Sequence, residues 1–207
     1  LEEAEPYFYT LQTMVSRIVR HLPEIDNKYF DERKDKPAGE KTTGLVVVTA
    51  DKGLAGAYNH NVLKMAEEQM QKAGQTGKYK LFVVGELGRQ YFAKEGLEVD
   101  TEFKYTVQNP SLHRARVITD RVMELYDKGE LDEVYIVYTK MENAFNMNAE
   151  KIQLLPLKKE DFMRAPIDTY QEEIKVEPSM EAILEHVVPN CVTGIIYGSL
   201  VESFASE

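Results

Sequence analysis

A glycine-bearing turn at residues 49–59 has the residue types and the position of a phosphate site. It follows the apolar run 44–48 and precedes a helical pattern, so a buried strand, a turn and a helix are predicted. Phosphate groups often bind at such turns in α/β proteins. The turn nevertheless lacks both a G-x-G-x-x-G motif and a Gly-Lys-Ser/Thr triplet. We therefore interpret Asp51, Gly53 and Gly56 as a structural turn whose glycines allow close packing.

Residues that could support catalysis or metal binding are scattered along the chain. The four histidines are His21, His60, His113 and His186. They form no H-E-x-x-H motif and have no paired acidic residues at metal-ligand spacing. Cys191 follows His186 by five residues, which does not place both on one helix face, so a small buried thiol is predicted. Ser199 lies in a helical pattern without a G-x-S-x-G frame. We predict no catalytic, cofactor-binding or metal-binding residue.

The composition argues against several functional classes. The chain has 35 acidic and 25 basic residues and a net charge of −10, which disfavours nucleic acid and anionic membrane surfaces as partners. Its single cysteine excludes an intramolecular disulfide. The longest uncharged stretch, 187–201, has 15 residues. Because a bilayer-spanning helix needs about 20 apolar residues, we expect no direct membrane insertion.

The periodicity of apolar residues predicts an α/β domain between two terminal helices. Apolar runs indicate strands at 44–48, 79–85, 131–138 and 149–155. Helical spacing indicates intervening helices near 58–73, with Gly74 as a stop, 87–94 and 112–126. The alternation of strands and helices predicts a Rossmann-like, mostly parallel sheet with flanking helices.

The first and last helical patterns have no clear start and no stop signal, respectively, so we expect both to be parts of longer helices. Pro189 predicts a kink or a fresh start in the last one. We predict that the two pair as part of an antiparallel coiled coil; the alternative is that they are core helices covering the sheet. The residues expected to pack in the coiled coil are Tyr7, Leu11, Met14, Ile18, Ile195, Ile196 and Leu200. The predicted divisions are an N-terminal helix at 1–23, a linker at 24–43, an α/β domain at 44–178 and the start of a C-terminal helix at 179–207.

Three stretches of the chain resemble the gamma subunit of the F-type rotary ATP synthase. Residues 51–56, Asp-Lys-Gly-Leu-Ala-Gly, are similar to the family signature Ser-Asp-Arg-Gly-Leu-Cys-Gly, with departures at Ala50, Lys52 and Ala55. The second stretch runs from Asn-Ala-Phe at 143–145 to Ile-Gln-Leu-Leu-Pro-Leu at 152–157. The third is Tyr-Gly-Ser-Leu-Val-Glu-Ser at 197–203, followed by Ala-Ser-Glu at 205–207. The stretches occur in the order that the family shows.

The resemblance implies a non-catalytic central-stalk subunit. In that family the terminal helices form an antiparallel coiled coil inside the catalytic head of alpha and beta subunits. The α/β domain lies against the epsilon subunit and the membrane ring of c subunits. Torque driven by proton or sodium flow passes through the stalk to the head and couples ion transport to ATP synthesis. The implied location is peripheral, at the cytoplasmic face of the bacterial plasma membrane.

The resemblance also implies a contact with the c ring. Glu177-Pro178 matches a Glu-Pro pair that faces the ring in the family, and Ile174, Lys175 and Val176 precede it. From the residues alone, an ordinary edge strand and turn is the preferred interpretation of this segment.

A second hypothesis is a small Rossmann-like enzyme that binds a nucleotide at the turn after the first strand. It accounts for the sheet, but it leaves the terminal helices unexplained and lacks an acidic ribose partner in a recognisable place. Binding of ATP, ADP or NAD by the isolated chain would distinguish it from a stalk subunit. For the stalk subunit, we expect removal of both terminal helices to leave a folded α/β domain that cannot support coupled synthesis.

Overall fold

A mixed four-stranded sheet forms the centre of the fold. The computed structural model describes residues 5–51, 56–100, 109–163 and 180–206. The strands are β1 (Thr42–Val48), β2 (Lys78–Val84), β3 (Glu133–Met141) and β4 (Met147–Leu155). Their order is β2-β1-β3-β4; β1 pairs in parallel with β2 and β3, and β4 is antiparallel to β3. The expected mostly parallel sheet is confirmed, with the antiparallel pair explained by the short connection 142–146.

Helices cover both faces of this sheet. The helices are α1 (Glu5–His21), α2 (Gly56–Thr76), α3 (Glu86–Lys94), α4 (Leu112–Asp127), α5 (Lys159–Met163) and α6 (Met180–Ala205). α2 and α3 pack on one face, and α1, α4 and α6 pack on the other. Since successive strand residues point to opposite faces, Leu45 and Val47 join the core with α2, whereas Val46 and Val48 join the core with α4 and α6. The strand order reverses between β1 and β3, which is therefore the switch point of the sheet.

Local sequence signals account for both boundaries of α4 but not for the end of α2. Ser111 caps α4, because its hydroxyl oxygen accepts the N–H of Arg114 at 3.2 Å. Gly129, with a φ of +77°, follows the end of that helix. The expected stop of α2 at Gly74 is wrong, since the helix continues to Thr76. The Gly74 position is open, with no atom within 4 Å of the place that a methyl group would take, so the helix passes through it without crowding.

The last helix, α6, is a single element of 26 residues that contains Pro189, so the fresh start considered there does not occur. Nearby side chains donate to its carbonyl groups: Asn190 to the carbonyl of His186 at 2.6 Å and Thr193 to that of Pro189 at 2.8 Å. Among the described residues, α6 is the one helix long and apolar enough to cross a membrane by length and composition. However, 56% of its apolar window is buried inside the protein, as in the core helix of a soluble protein.

Residues 24–43, which the sequence predicts as a linker, are packed against the α/β core. They contain two 3₁₀ turns, Lys28–Phe30 and Ala38–Glu40. Tyr29 and Phe30 are only 3% and 9% exposed and belong to the same hydrophobic cluster as α1 and α6. Charged residues dominate the composition of this stretch, so the sequence does not reveal that its two aromatic residues are buried. The domain boundaries drawn from the sequence remain predictions.

Both terminal helices contribute to the main hydrophobic core. Their buried side chains include Leu11, Val15, Ile18, Val19, Met180, Leu184, Val187, Val188, Val192, Ile196 and Leu200. Burial of one such side chain contributes about 1.5–3 kcal/mol, and a whole domain is stable by only about 5–15 kcal/mol. This shared burial argues against a folded domain after removal of both helices, and our expectation of one stays a prediction. The two helices pack on each other and α6 also packs on β3, so pairing and covering the sheet are compatible roles.

Candidate functional site

The turn after β1 is held by α2 rather than left open. The described residues include Thr49, Ala50 and Asp51 and resume at Gly56, so Gly53 lies outside them. The N–H of Ala50 donates to the side-chain oxygen of Asn59 at 3.1 Å, and Asn59 is 7% exposed. The first turns of α2 therefore fix the backbone that leaves β1.

Residues 49–51 also occupy the N-terminus of α3, where an anion could otherwise bind. The pairs are the N–H of Glu86 with Asp51 Oδ1 at 3.1 Å, that of Leu87 with the Ala50 carbonyl at 3.1 Å, and that of Gly88 with Thr49 Oγ1 at 2.9 Å. These three N–H groups are the donors that a helix terminus offers to a phosphate. Because each already has an acceptor within the chain, this terminus is a packing contact.

The two glycines of this second turn have a steric role. Gly85 has a φ of +95°, and a methyl group there would lie 2.1 Å from the carbonyl oxygen of Thr49. A methyl group on Gly88 would lie 2.7 Å from the hydroxyl oxygen of the same threonine. Both glycines are thus required by the close approach of β1 to α3.

The terminal helices α1 and α6 meet at a glycine. A methyl group on Gly194 would lie 2.3 Å from the ring of Phe8, so the ring packs directly on the α6 backbone. Lys28, which follows α1, forms an ion pair of 3.5 Å with Glu185. Contacts between residues 8 and 194 and between residues 28 and 185 run in opposite chain directions, so the two helices are antiparallel.

The predicted coiled-coil residues differ in their surroundings. Leu11, Ile18, Ile196 and Leu200 are buried in the core shared by the helices and the sheet, and Ile195 packs against it. Met14 is 37% exposed and is not brought into that core. The side chain of Tyr7 lies outside the described residues. Their role in a longer coiled coil stays a prediction.

A buried carboxylate at the amino end of the sheet was not predicted from the sequence. Asp132, just before β3, is 1% exposed and accepts the N–H of Thr42 at 2.8 Å. Its carboxylate also pairs with Arg33 at 2.9 Å and with Lys36 at 2.9 Å. We call these four residues the Asp132 clasp. It joins the segment after α1 to the start of β1 and β3.

Arg33 makes further contacts within the clasp. Its guanidinium donates to the carbonyls of Leu131 at 2.5 Å and Tyr126 at 2.7 Å, and it lies 4.0 Å from the centre of the Tyr126 ring. The backbone of Arg33 has a φ of +52°, a conformation that costs a non-glycine residue on the order of 1 kcal/mol. The contacts of its side chain compensate for that strain.

The charges of the clasp control the ionisation of Asp132. Burial opposes ionisation, but the hydrogen bonds from Thr42, Arg33 and Lys36 outweigh it and hold the pKa of Asp132 below its usual value. One signal in the sequence points to this region: Asp132 and Glu133 are the two charged residues of the predicted strand 131–138. Nothing in the sequence identifies its partners among the many charges of residues 24–43.

The remaining candidates for chemistry are engaged or exposed. All four histidines are exposed, and no three His, Cys, Asp or Glu side chains of the described residues are grouped to hold a metal ion. Cys191 is 3% exposed, and burial raises the pKa of its thiol to about 12. The hydroxyl of Ser199 donates to the carbonyl of Ile195 at 2.8 Å within α6. These groups offer no activated nucleophile.

The residues expected to contact the c ring are not part of this geometry. Ile174, Lys175, Val176, Glu177 and Pro178 all lie outside the described residues. Their assignment continues to depend on the resemblance of the sequence to the gamma subunit family.

Comparisons with known proteins identify the family. A family model described as ATP synthase matches residues 1–207. The ATP synthase gamma chain of Ruminiclostridium cellulolyticum is 38% identical over 211 residues, and the sodium-ion-specific gamma chain of Acetobacterium woodii is 34% identical over 221 residues. Each alignment covers 100% of this chain and 70% of the relative. The central stalk and c ring structure of the Tetrahymena thermophila mitochondrial ATP synthase has the same fold, with a TM-score of 0.61 at 21% identity over 99% of this chain and 91% of that one. This chain therefore belongs to the ATP synthase gamma chain family.

Proposed function

We propose that this chain is the central-stalk rotor subunit of an F-type ATP synthase and passes torque from the ion-driven c ring to the catalytic head. The observation that carries the proposal is the shared core of α1, α6 and the sheet in a member of the gamma chain family. A twist applied to the sheet reaches both helices through packed side chains. The subunit couples ion transport to ATP synthesis without catalysing either step.

The physical demands on a rotor match the contents of the chain. Each charge that crosses 100 mV supplies about 2.3 kcal/mol, and several crossings drive one synthesis step. A rotor must transmit this energy without local unfolding. It therefore needs directional and tightly packed contacts, such as the Asp132 clasp and the Phe8–Gly194 contact, and needs no nucleophile.

The partners that follow are the alpha and beta subunits of the head, the epsilon subunit and the c ring. The Tetrahymena structure of similar fold is that of a central stalk with its c ring, and one from Euglena gracilis is that of a rotor. The relatives of known sequence named above are bacterial proteins. They support a peripheral location at the cytoplasmic face of a bacterial plasma membrane.

The proposed ring contact at residues 174–178 has a direct test. A photoreactive residue at Lys175 or Val176 should cross-link to the c subunit in the assembled complex. The matched control is a photoreactive residue at Ala144, which is exposed in the β3–β4 connection. The proposed contact lies near the other end of α6, since residue 178 precedes the start of that helix by two positions. The 26-residue α6 spans about 39 Å, and its far end lies beside this connection. Equal cross-linking at both positions would refute the assignment.

The rotor function itself is tested by reconstitution. The chain should assemble with the other subunits of the synthase, including alpha, beta, epsilon and c, in vesicles and should allow ATP hydrolysis to drive ion transport. Omission of the chain should leave vesicles that do not transport. Assembly with normal hydrolysis but without transport, in the presence of intact c ring, would contradict a rotor.

The nucleotide-binding enzyme is not retained as a second function. None of the comparisons favours an enzyme, and residues 49–51, at the start of the turn after β1, are already hydrogen-bonded to α2 and α3. Equilibrium dialysis of the isolated chain with ATP, ADP and NAD is expected to show no tight one-to-one binding. Such binding would reopen the enzyme hypothesis.

A further inference from the structure

The inner edge of β3 extends past the end of its neighbour β1. Val137 is the last residue of β3 that pairs with β1, opposite Val47. The chain then leaves β1 on the side of β2, because the N–H of Thr49 donates to the carbonyl of Val84. β3 continues for four more residues to Met141. Its backbone therefore projects beyond β1 at the switch point of the sheet.

Two side chains of α6 supply acceptors to that projecting edge. The N–H of Thr139 donates to the hydroxyl oxygen of Ser203 at 3.3 Å, and the N–H of Met141 donates to a carboxylate oxygen of Glu202 at 3.0 Å. Thr139 and Ser203 are 1% and 0% exposed. Without these acceptors, a buried N–H group would be left unsatisfied. Side chains of α6 thus provide the acceptors for β3 where β1 has ended.

We propose that Glu202 and Ser203 form the joint that resists rotation of α6 relative to the sheet when torque passes through the subunit; the inference rests on the rotor function proposed above. Successive residues of an α-helix are about 100° apart around its axis. Two hydrogen bonds from adjacent residues to one strand therefore fix the rotation of the helix about that axis. Apolar contacts, which have no preferred direction, restrain such a rotation less.

A second point of attachment lies further back along α6. Thr193 Oγ1 is 2.8 Å from Thr119 Oγ1 of α4, ten residues before Ser203. At 1.5 Å per residue the two points are about 15 Å apart. The helix is thus held at two points of its buried part, and the joint at Glu202 is the one nearer the end of the helix. Glu202 and Ser203 are positioning residues, since their role in this inference is to hold α6 on β3.

The first test measures coupling in the assembled complex. Glu202→Ala removes the acceptor for Met141, whereas Glu202→Gln keeps an amide oxygen in its place. We expect the alanine variant to hydrolyse ATP but to transport fewer ions per ATP, because loss of one net hydrogen bond should raise the ratio of released to held joint about fivefold. Glu202→Gln should couple almost as the wild type does. Ser203→Ala should give a smaller loss.

The matched control is Glu142→Ala, which removes an exposed carboxylate next to Met141 and should leave coupling unchanged. The proposed joint would be refuted if Glu202→Ala coupled as the wild type does, or if the alanine and glutamine variants lost the same number of ions per ATP. If Glu202→Ala does not assemble, Ser203→Ala decides by the same criterion. A wild-type complex that does not couple would instead refute the rotor function.

Hydrogen exchange of the isolated full chain gives an independent readout. In Glu202→Ala the amide of Met141 should exchange faster than in the wild type, while that of Tyr135, within the paired part of β3, should not change. Unchanged exchange at Met141 would show that Glu202 does not hold this edge, and would overturn the proposal. Faster exchange at both amides would indicate general loosening of β3 and would also contradict it.

Discussion

The two ends of the sheet attach the rest of the chain by different interactions. At the amino end, the Asp132 clasp holds the segment after α1 through one buried carboxylate and two cations. On the α6 side, the contacts are a glycine against the Phe8 ring, a threonine pair and the hydrogen bonds from β3 to Glu202 and Ser203. The first attachment depends mainly on charge and the second on close packing and neutral donors.

In this sheet the buried charge and the carboxyl ends of the strands lie at opposite edges, whereas α/β folds usually combine them at one edge. Ligands of such folds bind at the carboxyl ends of the strands, and charged side chains gather there. Here α3 and α6 pack at the carboxyl ends, and Asp132, the most buried charged group in the described part of the chain, lies at the amino ends. The sheet holds the helices that pack on it, which suits a subunit that transmits force.

Replacement of Asp132 by alanine should have the largest effect on stability. Removal of one partner from a buried ion pair costs about 3–5 kcal/mol; because Arg33 and Lys36 are 18% and 31% exposed and can be partly hydrated, we expect about 2–4 kcal/mol. Urea unfolding of the isolated chain, followed by circular dichroism, measures this change.

The matched control for this change is Asp127→Ala, whose carboxylate pairs with Lys28 at 3.2 Å while both side chains are 43% exposed. Exposed pairs contribute at most about 1 kcal/mol, so this variant should be nearly neutral. Similar losses in the two variants would mean that burial does not distinguish the Asp132 clasp. The comparison between a charged and a packed attachment would then fail.

The stability of the contact between α1 and α6 should be sensitive to a single methyl group at Gly194. Gly194→Ala places a methyl group 2.3 Å from the Phe8 ring and should cost about 1–3 kcal/mol through overpacking. Gly198→Ala, on the same helix with no atom within 4 Å of the new methyl group, should be neutral or stabilising by up to about 1 kcal/mol. Thermal unfolding of both variants measures the difference. Equal melting temperatures would show that α1 does not press on α6 at this position.

The sequence predicts the elements of this fold better than it predicts their attachments. Strand and helix patterns are local, so periodicity reveals β1 and α4 from adjacent residues. The Asp132 clasp joins residues 99 positions apart, and the composition of 24–43 does not show which of its charges is used. Likewise, Glu202 occurs within a family motif, yet its bond to Met141 depends on where β1 ends. Tertiary contacts of this kind cannot be derived from periodicity.

Acid should selectively weaken the Asp132 clasp. The pKa of Asp132 is below its usual value in the folded chain, so folding favours its ionised form. The stabilisation is present above the unfolded pKa of about 4 and is lost as the pH falls through the lower folded pKa. The stability difference between wild type and Asp132→Asn should therefore shrink on acidification below about pH 4. Urea midpoints measured from pH 6 to strong acid test this, and a difference that grows in acid would contradict the assigned sign.

The smallest effect is expected at the threonine pair between α4 and α6. Thr193→Val and Thr119→Val should each cost about 1 kcal/mol, because the hydroxyl oxygens at 2.8 Å lose a buried partner. The double variant should cost less than the sum, since the bond between the two hydroxyls can be lost only once. Thr13→Val, which affects only an exposed intrahelical bond to the Tyr9 carbonyl, is the control and should stay within about 0.5 kcal/mol of the wild type. Strict additivity in this double-mutant cycle would mean that the two hydroxyls do not interact, and that packing alone holds this part of α6 to the α/β core.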